Sequence, residues 1–315
     1  MNYEYAIIVK SKTRLEQLTN RFNTQNQAAF YVKQSGGNFD EYEIEHVNFQ
    51  NSLHKVQQHL SKSIKNKIIE RDFLPSFLFN EKNLVIVIGQ DGLVANTAKY
   101  VNGIPIIAVN PDHSRYDGVL LPFGPDNFIE AIENVLAGKF NSRQVSLAEA
   151  RLNDGQHLLA FNDLFIGISS HVSARYRITY DDHSEDHSSS GVLVSTKAGS
   201  TGWLNSVFNM KNALEHYTGE LMLQEHESEY SHQQGADLGD DELMFVVREP
   251  FASKKTQTGL SIGKISGRKK LVLESYMPQN GVIFSDGIES DFLQFNSGSI
   301  ASIGVAKEKA NLVMP

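Results

Sequence analysis

The chain has 315 residues, 40% of them hydrophobic and 21% charged, with a formal net charge of -8; the length suits two domains and the composition a soluble globular protein. The acidic balance argues against a general nucleic-acid binder, which would carry a basic face, and the absence of cysteine excludes disulfides, thiolate metal sites and cysteine nucleophiles. No run reaches the ~18–20 apolar residues of a membrane-spanning helix, and the opening MNYEYAIIVKSK lacks a signal-type apolar region, so a cytoplasmic location without membrane contact is expected.

Over residues 1–145 short apolar runs alternate with amphipathic stretches, the pattern of βα repeats in an open sheet. Residues 6–9 read as a buried strand, with a polar helix from Thr13. Residues 42–49 read as a second strand and 53–69 as a helix. Residues 84–88 form the clearest strand, and a helix over 93–101 follows a glycine turn. Residues 104–109 are another strand, its Pro105 near the beginning, where a ladder hydrogen bond is least missed. Asp126 or Asn127 can cap a helix over 128–137, with Glu130 placed for a capping box and Gly138 at the C-terminal end. These features predict a Rossmann-like α/β domain, whose ligands sit beyond the carboxyl ends of the strands.

Residues 146–315 have a different texture. The apolar run 157–168 is followed by strand-period alternation over 171–180, and further short strands are predicted at 191–196, 243–247, 269–274, 281–285 and 300–306. Glycine and polar turns between them point to an all-β, sandwich-like domain. Residues 215–242, which include HESEYSHQQGADLGDDE, read as a polar insertion. No internal repeat is seen.

Four stretches carry candidate chemistry. In Gly89-Gln90-Asp91-Gly92 glycine permits close backbone approach, so the loop could aim N–H groups at a phosphate, and the next helix adds the positive end of its dipole. Asp91 cannot bind phosphate itself; it could take a proton from an attacking hydroxyl or help hold Mg²⁺. The plain alternative is a tight βα turn. In STKAGSTGW, residues 195–203, four hydroxyls, two glycines and a lysine meet at a strand-to-helix junction; N-capping would use one or two of the hydroxyls and a polar ligand the rest. Trp203 suits packing, with stacking on a base left open. Asn162-Asp163 interrupts the apolar run and needs hydrogen-bond partners, as a site or as a strand break. Asp286-Gly287 is by itself a hairpin signal. His183 and His187 stand four apart, which on a helix would suit a metal, but their Ser- and Asp-rich surroundings suit a solvated hairpin loop and no metal ligand is assigned. Lys10 and Lys12 follow the first strand where a crevice containing Asp91 would open.

The four motifs, in this order, resemble the NAD kinase family over roughly residues 80–310. IGQDGLVANTA is similar to that family's Gly-Gly-Asp-Gly-Thr loop, FNDLFIG to its Asn-Glu strand, STKAGSTGW to its Thr-Gly-Ser-Thr-Ala run and FSDGIE to its late Asp-Gly. The resemblance implies an α/β nucleotide domain joined to a β-rich NAD-binding domain, in a homo-oligomer (dimer or tetramer). It implies a kinase that moves a phosphoryl group from ATP, with Mg²⁺ or another divalent cation, to the 2′-hydroxyl of the adenosine ribose of NAD, giving NADP. By position Asp91 is implied as catalytic, Gly89 and Gly92 as phosphate-binding, and Asn162, Asp163, Thr196, Gly199, Ser200, Thr201 and Asp286 as NAD-binding. Departures from the pattern are Gln90 for the second glycine, Leu93 for threonine, Asp163 for glutamate, and Lys197-Ala198 for Pro-Thr. They leave open a non-catalytic NAD or nucleotide sensor of the same fold, or a kinase acting on another alcohol.

Overall fold

Two unbroken apolar stretches, AIIV at residues 6–9 and LVIVI at 84–88, need cover on both faces, as strands of a parallel sheet between helices do. In the computed structural model, which describes residues 3–222, 237–267 and 269–315, they receive it. The chain divides into two compact units, Met1–Gln144 with Ala310–Pro315, and Val145–Lys309.

The first unit contains β1 (Tyr5–Lys10), α1 (Arg14–Phe22), α2 (Gln25–Gln34), α3 (Phe39–Leu60), β2 (Lys65–Glu70), β3 (Asn83–Ile88), α4 (Asp91–Ala98), β4 (Pro105–Val109) and α5 (Phe128–Leu136). β1 lies between β2 and β3, and β4 follows β3, all parallel; Tyr5 is opposite both Lys65 and Asn83. Phe49, Leu53, Val56 and Leu60 of α3 and Phe128, Ala131, Ile132 and Val135 of α5 bury the sheet residues Ile8, Ile86 and Val109. The strands expected at 6–9, 84–88 and 104–109 are present.

The region 42–69 differs from expectation. Residues 42–49 are helical, inside α3, because Asn38 caps the helix by accepting from Asp40 N–H at 3.1 Å, and Asp40 and Glu41 favour its positive end. The apparent alternation there was incidental: Ile44 and Val47 are exposed. The helix expected over 53–69 stops at Leu60, and Lys65–Glu70 is instead the strand β2. At α5, Asn127 is the N-cap residue, but its side chain accepts from Gly124 N–H at 2.6 Å and no capping box forms.

The second unit contains β5 (Asn141–Leu152), β6 (His157–Ala160), β7 (Asp163–Ile168), β8 (Ala174–Tyr180), β9 (His183–Ser189), β10 (Gly191–Thr196), α6 (Trp203–Met222), β11 (Glu242–Arg248), β12 (Ile262–Ser266), β13 (Leu271–Ser275), β14 (Gly281–Ser285), β15 (Ile288–Gln294) and β16 (Ile300–Met314). One antiparallel sheet has the order β12-β11-β10-β7-β14-β15. Its inward residues, among them Ile166, Val194, Phe245 and Ile283, share a core with Tyr176, Ile178, Leu273 and Ile303 from β8, β13 and β16. The sandwich-like expectation holds. The DDHSEDH stretch is largely the strand β9, paired with β8. Of the polar segment expected at 215–242, residues 223–236 lie outside the described residues, while the part up to Met222 belongs to α6. The end of β16 returns to the first unit, where Asn311 and Leu312 pair in parallel with Pro105 and Ile106.

Candidate functional site

In the first unit the apolar run of β3 ends at Gly89, and α4 starts two residues later at Asp91. Gln90 is the N-cap residue but its side chain does not cap. A Cβ at Gly92 would meet open space, so that backbone can be approached from outside. The Asp91 carboxylate, in the first turn, accepts Leu120 N–H at 2.6 Å. A cleft of about 350 Å³ opens beside the turn, lined by Gly89, Gln90 and Gly92 together with Lys12, Arg14 and Arg71; Asp91 is not in the lining. A smaller cleft of about 210 Å³ shares Lys12 and Arg71 with it.

The cations reach the cleft because β1 and β2 end there. Thr13 caps α1 with a full capping box: its hydroxyl accepts Glu16 N–H, and Glu16 accepts Thr13 N–H. Lys10 pairs with Glu16 at 3.5 Å and Glu70 at 3.6 Å, and Lys12 with Glu70 at 3.6 Å; of the two lysines only Lys12 lines the cleft. Arg14 is paired with the buried Glu45. Tyr116, another lining residue, has its hydroxyl raised above the usual range by burial, against a hydrogen bond from Gln90. Arg14, Arg71 and Tyr116 were not found from sequence. Each is isolated from any motif, and only the convergence of strand ends brings them to the glycine turn.

In the second unit Asn162 and Asp163 sit at the break between β6 and β7, with Thr196, Gly199 and Asp286 gathered around them. The Asp286 carboxylate accepts N–H bonds from Phe161, Asn162 and Asp163 at 3.0, 2.6 and 3.3 Å. On the other side the Thr196 hydroxyl donates to Phe161 O at 2.6 Å, and Thr196 N–H to Asn162 O at 2.9 Å. Gly199 is needed for close approach, since a Cβ there would lie 2.2 Å from Asn162 O. Asp163 is 8% exposed. Burial, then the Asp286 charge, pushes its carboxyl up to about 7.

The hydroxyl-rich turn is more occupied than capping alone accounts for. Ser195 donates to Thr196 O, Thr196 to Phe161 O and Ser200 to Lys197 O, while Thr201 is exposed. Three of the four hydroxyls therefore hold the backbone. Lys197 pairs with Asp240 at 2.8 Å. Trp203 stacks on Phe165, with centroids 5.7 Å apart, and the Arg248 guanidinium lies 5.1 Å over its ring. With Phe284, Phe292 and Glu289 these residues line a groove of about 630 Å³. In the sequence Phe165 and Phe284 read only as apolar strand residues. They face the groove because they pair across β7 and β14 on the side opposite Ile166 and Ile283.

Among the described residues no three His, Asp or Glu side chains gather as a protein metal site would require. His183 is exposed and His187 buried, its Nε2 3.0 Å from Glu185. Among the described residues no helix is long and apolar enough to cross a membrane.

No family model matches the chain. An NAD kinase of Saccharolobus islandicus is 28% identical over 159 residues, covering 50% of this chain and 57% of that protein. An NAD kinase of Saccharolobus solfataricus is 29% identical over 152 residues, 47% and 55% of the two chains. One from Finegoldia magna is 29% identical over 151 residues, 44% and 54%. The chain thus spans about half the length of the curated relatives it matches. Among solved structures, an Archaeoglobus fulgidus NAD kinase in complex with ATP aligns with TM-score 0.55 at 14% identity, over 98% of this chain and 92% of that one. Yeast NADH kinase complexed with NADH aligns with TM-score 0.59 at 12% identity, over 100% and 84%. Over about half its length the chain is similar in sequence to NAD kinases, and it has the fold of the solved ones.

Proposed function

We propose that this relative of the NAD kinases is itself a kinase, transferring the γ-phosphoryl group of ATP to the 2′-hydroxyl of the adenosine ribose of NAD to give NADP. The observation that carries the reading is the division of roles around one turn: Gly89 and Gly92 line a cleft with Lys12, Arg14 and Arg71, while Asp91 keeps its carboxylate out of that lining. Phosphoryl transfer asks for charge neutralisation around the phosphates and a base at the acceptor hydroxyl, and little covalent chemistry. Cations, open glycine backbone and the N-terminus of α4 serve the first need, and Asp91 the second. Mg²⁺ would be carried mainly on the donor's phosphates, with Asp91 as the carboxylate at hand. On the acceptor side Asn162 and Asp163 would meet the ribose. Thr196, Gly199 and Ser200 would act chiefly through the backbone they hold, with the exposed Thr201 beside them. The Phe165–Trp203 stack with Arg248 offers an aromatic face and a cation to a planar base carrying phosphates. The reading includes a cytoplasmic location and a homo-oligomer, the latter measurable by light scattering.

Gln90 and Leu93 line the same cleft where the similar family loop has glycine and threonine, and they favour a second reading, a nucleotide sensor that binds without turnover. Incubation with NAD, Mg²⁺ and ATP separates the two: NADP is expected, and binding of both nucleotides without NADP selects the sensor. Asp91→Asn keeps an acceptor for Leu120 N–H, so it should bind both nucleotides while kcat falls ~10²–10⁴-fold. NADP formation at the wild-type rate in that variant would remove the role given to Asp91.

A further inference from the structure

The two-residue turn between β14 and β15 needs left-handed backbone at both positions, and Asp286 (φ 53°) with Gly287 (φ 69°) supplies it. Asp-Gly is favoured in such a turn for that reason alone, so turn formation would account for both residues. It does not account for where the carboxylate goes. Its oxygens reach back to Phe161, Asn162 and Asp163, 125, 124 and 123 positions earlier in the chain, and accept all three N–H groups. Asp286 N–H in turn donates to Asp163 O at 3.0 Å.

Those three N–H groups lie at the junction of β6 and β7, where Phe161 and Asn162 fall outside both strands and Asp163 opens β7 opposite Ser195 of β10. Left unpaired, each would carry the desolvation cost of a polar group without a partner. The carbonyl side of the break is clamped independently by Thr196, with Gly199 packed against Asn162 O. Asn162 therefore holds its place through its backbone, and its side chain makes no hydrogen bond among the described residues. Asp163 is buried, its pairing partner on β10 is the uncharged Ser195, and the charge that acts on it is that of Asp286.

We propose that Asp286 is a positioning residue: its carboxylate fixes the backbone of residues 161–163, and with it the placement of Asp163, without itself touching the ligand. The proposal rests on the reading of Asn162 and Asp163 as the acceptor-side residues, and it moves Asp286 from the ligand's surface to the layer behind it.

The test uses the full chain with Asp286→Gly, which leaves a Gly-Gly pair suited to the same turn, and Asp286→Asn, which keeps the turn and one acceptor oxygen. Amide hydrogen exchange is read at residues 161–163 and in β14 and β15, and NAD and ATP are titrated by calorimetry. For Asp286→Gly, protection at 161–163 should fall at least ~10-fold while β14 and β15 keep theirs; the NAD Kd should rise at least ~10-fold and the ATP Kd stay within about twofold. Asp286→Asn should restore part of both losses. Unchanged protection at 161–163, or lost protection with unchanged NAD affinity, overturns the positioning role. Failure of the wild-type protein to bind NAD overturns the functional reading and this proposal with it, and is recognised before any variant is measured.

Discussion

Asp163 concentrates the residue-scale physics. Its carboxyl is buried beside a charged neighbour and holds its proton up to about 7, against an ordinary value of 3.8. The folded chain therefore binds this proton more tightly than the unfolded chain, and stability falls as pH rises from about 4 to about 7, then levels. Asp163→Asn removes the titration while keeping the shape. It should stabilise the protein at pH 8 by on the order of 2–4 kcal/mol and by almost nothing near pH 4. Urea melts at the two pH values check this, and an equal effect at both would refute the burial argument. Gly199 shows the opposite kind of constraint. Gly199→Ala places a Cβ 2.2 Å from Asn162 O, a backbone atom that cannot swing aside, so a loss of about 2–4 kcal/mol is expected in the same melts. The glycine was visible in the sequence as part of a ligand motif. What it accommodates is the chain itself, and that close approach has no signature short of the fold.

At the scale of elements, the strongest readings were those in which period and burial agreed. AIIV and LVIVI could be little else than buried strands once flanked by turn residues, and both are. Residues 42–49 misled because the pairs Tyr42/Ile44 and Val47/Phe49 each have the strand spacing of two, while the face that decides the matter, Phe49-Leu53-Val56-Leu60, starts only at the end of that window. The strands β9 and β15 escaped for a related reason: as HSEDHSS and IESDFLQ they lie at sheet edges, where polar sequence is tolerated and discourages pairing with other chains. The start of α1 matters to the cleft because its cap sits among the lining residues. Thr13→Ala removes the acceptor for Glu16 N–H and should cost about 1 kcal/mol. It should also weaken ATP binding more than NAD binding, as paired titrations would show; equal effects on both would mean that α1 does not serve the phosphate cleft.

At the scale of the whole molecule, the division of labour between units has consequences for stability. Ala310, Leu312 and Val313 are buried in the first unit, beside β4. Deleting residues 310–315 exposes an edge and removes side chains worth ~1.5–3 kcal/mol each for the larger ones. The melting temperature should drop by on the order of 5–10 °C, and an unchanged value would show that the return segment is dispensable. If the functional reading holds, NAD and ATP should each stabilise the folded chain, by ~2.7 kcal/mol at a hundredfold excess over Kd. Thermal melts with each ligand alone reveal which is bound, and absence of any shift with NAD counts against the acceptor assignment.

The amino-acid sequence by itself determined the class of each half, the turn at Gly89–Gly92 and the order of four short motifs, because these depend on local period, turn chemistry and spacing. It also carried the resemblance to the NAD kinases, through those four motifs in that order. Only the tertiary structure decided which side chains share a site. Lys12, Arg14 and Arg71 meet the glycine turn because parallel strands end together. Asp286 meets Asn162 and Asp163, 124 and 123 positions earlier in the chain, because antiparallel pairing sets β14 beside β7. Contacts across such separations are fixed by strand register and core packing, properties of the assembled fold that no stretch of the chain contains alone.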